Sequence, residues 1–118
     1  MIVIYGLKNC DSCRKAVKLM EAGGAAYRFH DLRADGLPAD RLAIWLERAG
    51  WEALVNRRST TWRGLPEAEK ADLDGARAAA LLARHPTLIK RPVGEAGEEL
   101  LVGLAPPQAA ALKALAGA

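Results

Sequence analysis

Residues 2–13 read IVIYGLKNCDSC, so that an apolar run, a polar break and two cysteines follow one another. The β-branched and aromatic residues 2–5 predict a buried strand. After the break, Asp11 and Ser12 are both good helix caps, and a helix is expected to begin near them. Cys10 is therefore predicted to lie at the carboxyl end of a strand and the amino end of a helix, where α/β folds often place their chemistry.

The rest of the pattern predicts the order β-α-β, a helical insert, then β-β-α. A second strand is expected at residues 26–30, and two strands joined by one helix over this length pair in parallel. Residues 37–84 show helical periodicity throughout. The chain then supplies two strands joined as a hairpin. The first is expected at residues 88–89, is interrupted at residues 90–92 and resumes at Val93, and the second is expected at residues 99–102. A last helix is expected at residues 108–115. This order predicts an α/β fold built on one four-stranded sheet.

Length and charge are those of an ordinary globular protein. The 118 residues suffice for one domain with a single core, and their formal net charge is +3. Acidic and basic residues are interleaved along the chain, which is typical of a solvated surface, so direct binding to nucleic acid is not expected. The apolar runs are too short to cross a bilayer and the first residues do not resemble a signal peptide. A cytoplasmic protein without membrane contact is therefore expected.

The two cysteines, Cys10 and Cys13, are the most informative residues. A structural zinc site needs about four ligands and the histidines are far away in sequence, so no bound metal is expected. A disulfide that closes so short a loop would add little stability. Backbone N–H groups at a helix amino terminus, with Lys8 nearby, favour a thiolate, which predicts Cys10 as a nucleophile. Cys13 either resolves the adduct through a disulfide or is a small core residue beside Val17.

A polar segment in the middle of the chain, Asn56–Trp62, is a second candidate for binding. Its donors either hold an anionic substrate or a glutathione carboxylate, or form a solvated loop anchored by one tryptophan. In the first interpretation, donors from two loops line the substrate site: Lys8, Asn9, Arg57, Thr60 and Thr61. The three tryptophans are expected in the core because they lie among apolar residues.

Three stretches resemble the motifs of the arsenate-reductase-like family, in the family's order. They are residues 5–16, 58–62 and 85–93. The family includes Spx regulators and YffB-type proteins. The resemblance implies a thioredoxin-like (glutaredoxin-like) core with a mixed four-stranded sheet, within a single domain at residues 1–118. The core is expected at residues 1–36 and 86–118, around an all-helical insert at residues 37–85.

In the family's glutaredoxin-linked arsenate reductases, the first cysteine attacks arsenate and glutathione reduces the adduct. The arginine of an Arg-Pro motif helps to bind the oxyanion, for which a guanidinium offers two parallel hydrogen bonds. The resemblance assigns these roles to Cys10 and Arg91. It also implies that Pro92 is the cis-proline that packs beside the active cysteine in thioredoxin-like folds. The alternative for Arg91 is a surface side chain before an edge-strand proline.

The sequence also departs from those reductases. Asn56 and Gly103 fall near the positions of two further arginines, and Gly6 and Lys8 replace a histidine and a proline. Fewer guanidinium donors should weaken arsenate binding. The chain therefore resembles the YffB-type branch most, which implies a glutathione-dependent thiol–disulfide reductase. The resemblance implies no bound cofactor, glutathione as co-substrate, a small disulfide or oxyanion as substrate, and glutaredoxin as a partner.

The resemblance also implies an alternative function, that of a Spx-type transcription regulator. Such a regulator senses oxidation with the same cysteine spacing and binds the alpha subunit of RNA polymerase. Cys10, Cys13 and Arg91 fit this role too. The two functions differ in whether the protein turns over a thiol substrate or binds a macromolecule.

Overall fold

The computed structural model describes residues 1–117. They form two compact units, of which one comprises Met1–Asp35 and the chain from Arg91 onward, and the other Gly36–Lys90. The strands are β1 (Ile2–Gly6), β2 (Tyr27–Asp31), β3 (Val93–Ala96) and β4 (Glu99–Val102). The helices are α1 (Asp11–Gly23), α2 (Ala39–Ala49), α3 (Trp51–Leu54), α4 (Thr60–Gly64), α5 (Glu67–Lys70), α6 (Gly75–Arg84) and α7 (Pro106–Leu115). Within residues 1–117, no helix is long and apolar enough to cross a membrane.

The first unit is built on one sheet with the strand order β2-β1-β3-β4. β1 lies in the middle, parallel to β2 and antiparallel to β3, while β3 and β4 pair as the hairpin. Ile4 of β1 is opposite both Phe29 of β2 and Gly94 of β3. The predicted mixed four-stranded sheet is confirmed. Because β1 and β2 are parallel, their carboxyl ends share one edge of the sheet, where the chain continues towards α1.

Apolar side chains of two helices and β1 form the core of the first unit. α1 buries Cys13, Ala16 and Met20, which are spaced three and four residues apart and therefore lie on one face of the helix. Ala16 and Met20 belong to a cluster of buried residues that also contains Ile2, Ile4, Leu112 and Ala116. Burying each large side chain of this kind contributes about 1.5–3 kcal/mol. This packing gives the first turn of α1 a defined position relative to the end of β1.

The second unit contains α2–α6, and its core consists of large apolar side chains that are almost fully buried: Trp45, Leu54, Leu81, Leu82 and Leu88. The stretch of strand predicted at Leu88–Ile89 is wrong at Leu88. Pro86 begins a 3-10 helix, in which the N–H of Leu88 donates to the carbonyl of His85 over 2.9 Å, so the backbone there is folded rather than extended. Only Ile89 forms a bridge, with Val55.

The segment predicted as a polar loop, Asn56–Trp62, is partly helical because Ser59 caps α4. The Ser59 hydroxyl oxygen accepts a hydrogen bond from the backbone N–H of Trp62 over 3.1 Å. The same hydroxyl donates to the carbonyl of Asn56 over 2.8 Å. A serine at the N-cap satisfies one of the first N–H groups of a helix, which is enough to stabilise this single turn.

Candidate functional site

Cys10 is the N-cap of α1, the residue between the end of the β1–α1 loop and the first helical turn. Its backbone is extended, with φ −123° and ψ 121°, and its carbonyl accepts the hydrogen bond from the N–H of Arg14 over 2.9 Å. The cap is therefore one residue before Asp11 and two before Ser12, the two predicted caps. The sulfur of Cys10 is half-buried and both thiols of the chain are free. The first N–H groups of a helix lack intrahelical partners, and their partial positive charge lies at this end.

The surroundings of Cys10 favour its thiolate. Burial by itself would raise the pKa of Cys10. The backbone N–H of Cys13, the Cys13 thiol and the guanidinium of Arg91 together outweigh burial and hold the pKa of Cys10 below its ordinary value. Arg91 acts both by a hydrogen bond to the sulfur and by its charge. Cys10 and Arg91 are thus brought together, as the prediction of a nucleophile beside an anion clamp requires.

Cys13 lies one turn later and has a different environment. Its side chain is 1% exposed. Burial, the first cause, and the neighbouring Cys10 raise the pKa of Cys13 to about 12. The sulfur lies against β1, since a Cβ placed on Gly6 would be only 2.3 Å from it. The close approach of α1 to β1 at this point therefore requires glycine at position 6.

The Arg91–Pro92 peptide bond is cis, as the resemblance implied. Pro92 is fully buried, and its carbonyl accepts a hydrogen bond from the N–H of Gly103 over 2.8 Å. Gly103 has a φ of +82°, a left-handed conformation that favours glycine over a side chain such as arginine. The left-handed backbone at position 103 therefore disfavours an arginine at this turn.

The β1–α1 loop presents Lys8 and Asn9, both of which are exposed. Sequence reasoning missed the residue that holds this loop, Asp31 at the end of β2. The pKa of Asp31 is lowered, first by the N–H of Ala34, and also by the charge and backbone N–H of Lys8. Its Oδ1 accepts hydrogen bonds from the N–H groups of Arg33 and Ala34 over 2.8 and 2.9 Å. An aspartate directly after a predicted strand is a typical turn residue, and that was the available signal.

The other three predicted substrate residues belong to the second unit, so their part in the site stays a prediction. Thr60 is exposed at the start of α4. Thr61 shares a hydrogen bond of 2.9 Å with the hydroxyl of Thr87, which gives it a structural role. Arg57 is exposed, and its guanidinium lies 5.9 Å from the ring centre of Trp51 and 5.8 Å from that of Trp62. Contact with two indoles restricts the orientation of this guanidinium.

This cluster corrects the prediction that all three tryptophans are core residues. Trp45 is fully buried in the second unit. Trp51 and Trp62 are only half-buried, and besides Arg57 the amine of Lys70 lies 5.5 Å from the Trp62 ring centre. The apolar neighbours along the chain face the core, whereas one face of each of these two indoles is turned to cations. Apolar neighbours in sequence alone do not reveal which face of an amphipathic ring is covered.

The arrangement around Cys10 offers thiol chemistry. A cysteine with a lowered pKa, partly exposed and beside a guanidinium, is suited to attack an electrophilic sulfur or to bind near an anion. In the part of the chain described, residues 1–117, no group of three or more His, Cys, Asp or Glu side chains is placed to hold a metal ion.

The profile of the ArsC family matches residues 5–112. An uncharacterised protein of Haemophilus influenzae is 45% identical over 103 residues, which cover 87% of this chain and 90% of that protein. Among solved structures, a YffB protein is 44% identical, with 95% of this chain and 98% of that chain covered and a TM-score of 0.88. The global transcriptional regulator Spx of Lactiplantibacillus plantarum is 25% identical over 105 residues, which cover 87% of this chain and 79% of that protein.

These comparisons confirm both the thioredoxin-like fold and the family that the sequence motifs indicated. The match begins at the end of β1 and continues into α7, so it includes Cys10 and the Arg91–Pro92 turn as well as the helices between them. The chain belongs to the ArsC family of arsenate reductase-like proteins.

Proposed function

We propose that this protein is a glutathione-linked thiol–disulfide oxidoreductase in which Cys10 is the attacking thiolate. The observation that carries the proposal is the position of Cys10 at the N-cap of α1, where the guanidinium of Arg91 contacts its sulfur and its pKa is lowered. Only the thiolate is nucleophilic, so a lowered pKa increases the reactive fraction near neutral pH. A reducing compartment that contains glutathione, such as the cytoplasm, suits this chemistry.

The reaction consists of three successive thiol–disulfide exchanges. The Cys10 thiolate attacks one sulfur of a substrate disulfide, the substrate bond breaks, and the leaving thiolate takes a proton from water. A glutathione thiolate then attacks the substrate-derived sulfur of the adduct, and Cys10 leaves as the thiolate. A second glutathione converts the resulting mixed disulfide into glutathione disulfide and the second substrate thiol. The two electrons thus come from two glutathione molecules.

Cys13 has a secondary part in this scheme. Because its sulfur is buried and its pKa is raised to about 12, it is a poor nucleophile at neutral pH. Glutathione, rather than Cys13, therefore releases the adduct on Cys10. The thiol of Cys13 favours the Cys10 thiolate as a neighbour.

We assign substrate binding to two groups of residues. One group lies beside the Cys10 thiolate, and the other consists of the polar side chains predicted to line the substrate site. Arg91 binds a carboxylate or an oxyanion beside the sulfur, and Pro92 forms the wall next to it. We assign the contacts to the remainder of a glutathione-like substrate to the predicted polar side chains, of which all but the half-buried Thr61 are exposed: Lys8, Asn9, Arg57, Thr60 and Thr61. Glutaredoxin, as a partner, would reduce the same adduct.

Arsenate is the less favoured substrate. One guanidinium, that of Arg91, contacts the thiolate. Gly103, close to the same turn, has a left-handed backbone that disfavours the further arginine. Stabilising a multiply charged oxyanion in a reaction generally requires several fixed donors. Arsenate consumption with glutathione and glutaredoxin is therefore expected to be slow compared with disulfide reduction.

The deciding experiment measures glutathione-dependent reduction of hydroxyethyl disulfide together with the mass of the protein after exposure to glutathione disulfide. The parent protein should turn over and carry one glutathione on Cys10. Cys10→Ser should show neither, whereas Cys13→Ala should keep both. Turnover by Cys10→Ser would overturn the assignment of the nucleophile. A stable adduct without turnover in Cys13→Ala would show that Cys13 releases the adduct.

A Spx-type regulator is the second candidate, favoured by the 25% identity to the global transcriptional regulator Spx. In this role, oxidation of Cys10 would change binding to the alpha subunit of RNA polymerase. A pull-down with the purified alpha subunit, using reduced and oxidised protein, distinguishes the two functions. Binding in one redox state, together with no disulfide turnover, would replace the reductase by the regulator.

A further inference from the structure

A cavity of about 350 Å³ lies in the first unit, between α1, the β1–α1 loop and β2. Cys10 is not among its lining residues, so it is a separate feature from the thiolate site. Its inner wall is formed by Leu7, Cys13, Val17 and Phe29. Leu7 is buried, and Val17 and Phe29 are half-buried, so apolar surface remains open to the cavity.

The inner wall carries no charge near neutral pH. Cys13 contributes a neutral thiol there, because burial raises the pKa of Cys13 to about 12. Leu7, Val17 and Phe29 offer aliphatic and aromatic surface. A ligand that fits this wall needs an apolar body, and a bare inorganic ion would lose its hydration without compensation.

The mouth of the cavity has an excess of positive charge. Lys8, Arg14 and Lys18 line it together with a single carboxylate, that of Glu21. Arg14 is paired with Asp11, and Lys8 lies close enough to Asp31 to lower its pKa. Within residues 1–117, Lys18 makes no ion pair. The charge that would complement this mouth is therefore negative, and Lys18 is the cation available to meet it.

We propose that this cavity binds a small organic anion that consists of an apolar ring or branched chain and one carboxylate or sulfonate group. The apolar body contacts Val17 and Phe29, and the anionic group contacts Lys18 at the mouth. The volume is at the lower end of the range of small-molecule pockets, about 300–1,000 Å³, which suits a ligand of one or two rings. This site shares Lys8 with the proposed substrate site of the reductase, but Val17, Lys18 and Phe29, which hold the ligand here, have no part in the proposed thiol chemistry.

The first test is a titration of the reduced, ¹⁵N-labelled protein with 2-naphthoate, followed by amide chemical shifts. Saturable shifts should be confined to the cavity, at Lys8, Val17, Lys18 and Phe29, with none at Arg57. The neutral analogue 2-naphthamide should bind about tenfold more weakly, as expected for the loss of a charge-assisted contact. Inorganic phosphate should give no saturable shift. Shifts spread over the whole protein, or equal binding of the amide, would overturn the proposal.

Two charge reversals on the same helix provide the matched control. Lys18 and Lys15 are both exposed residues of α1, but only Lys18 lines the cavity. Lys18→Glu should raise the dissociation constant of 2-naphthoate about tenfold. Lys15→Glu should change it by about twofold or less at 0.15 M salt, because Lys15 does not line the cavity and solvent and salt weaken an exposed charge that makes no contact with the ligand. Equal effects of the two substitutions would indicate only general attraction of anions and would refute the site.

A third substitution tests the apolar wall. Val17→Phe adds a ring to the half-buried wall, and it should abolish saturable binding of 2-naphthoate while leaving the amide spectrum dispersed. Unchanged binding in this folded variant would also contradict the proposal. Because none of these measurements follows thiol turnover, a failed reductase assay and a failed cavity titration are separate results.

Discussion

Cys10 and Cys13 lie one helical turn apart, yet the structure gives the two thiols opposite properties. Cys10 caps α1, is half-buried and has a lowered pKa, with Arg91 at its sulfur. Cys13 faces the sheet, is 1% exposed and has a pKa raised to about 12. The same type of residue is thus a candidate nucleophile at the cap and a packing residue in the first turn. The spacing of two cysteines does not by itself give them equal chemistry.

The largest expected effect is a loss of stability when a methyl group is added at Gly6, where the Cys13 sulfur packs against β1. A Cβ on Gly6 would lie 2.3 Å from the Cys13 sulfur and 3.2 Å from its Cβ. Gly6→Ala should lower the free energy of unfolding by about 1–3 kcal/mol, the usual cost of overpacking. Urea denaturation followed by circular dichroism measures this change.

Two controls sharpen this prediction. In the Cys13→Ala background the sulfur is absent, so Gly6→Ala should cost clearly less, which a double-mutant cycle would detect. At Gly64, an added Cβ meets no atom within 4 Å, so Gly64→Ala should change stability by about 0.5 kcal/mol or less. Equal costs of Gly6→Ala with and without the sulfur would show that Cys13 is not packed against β1.

The second prediction concerns stability in alkali. An unfolded thiol loses its proton near pH 9, but the raised pKa of Cys13 keeps the folded thiol protonated up to about pH 12. Its contribution to stability is complete below pH 9 and is lost as the pH rises through this window. From this group the free energy of unfolding falls by at most about 1.4 kcal/mol per pH unit, the limit for the loss of one proton. Urea denaturation between pH 9 and 11 should show a steeper loss for the parent than for Cys13→Ala, and parallel curves would contradict the buried thiol.

The smallest expected effect is on the reactivity of the Cys10 thiol. Arg91→Gln removes a hydrogen bond and a charge that hold down the pKa of Cys10, so the alkylation of Cys10 by iodoacetamide should shift to higher pH. At pH 7 the rate should fall about three- to tenfold, as for the loss of about 1 kcal/mol in thiolate stabilisation. Arg14→Gln removes the same charge from the next turn and should leave the profile unchanged. A shift of equal size in both variants would mean that Arg91 acts only as part of the general charge.

Much of the fold could be predicted because the residue types within each segment and the order of the segments along the chain indicate the same structure. The β-branched residues before Cys10 predicted β1. The helical spacing of Cys13, Ala16, Val17 and Met20 predicted the buried face of α1, and all but the half-buried Val17 are buried. The prediction failed where two signals compete. Leu88 and Ile89 are apolar and suit a strand, but Pro86 begins a 3-10 helix that includes Leu88 and ends before Ile89.

The candidate site could be predicted only where its parts are near in sequence or carried by a motif. The position of Cys10 between β1 and α1 follows from one strand and one helix, although the cap itself was expected at Asp11 or Ser12. Its proximity to Arg91 follows from the resemblance of the Arg-Pro motif. Asp31 was missed because its contact with the Lys8 loop depends on how two parallel strands end. The contacts of Arg57 with Trp51 and Trp62 depend on the angle between two short helices, which periodicity does not give.

The central position of β1 has a consequence for synthesis of the chain. Its parallel neighbour β2 follows within the first 31 residues, but its antiparallel neighbour β3 begins only at Val93. The hydroxyl of Tyr5 donates to the carboxylate of Glu95 over 2.9 Å, a contact that spans 90 residues of chain. Long closures of this kind form late, because the ordering cost precedes the contacts. A nascent chain therefore exposes the Cys10 thiol before Arg91 has been made, and the guanidinium of Arg91 reaches Cys10 only once the last quarter of the chain is present.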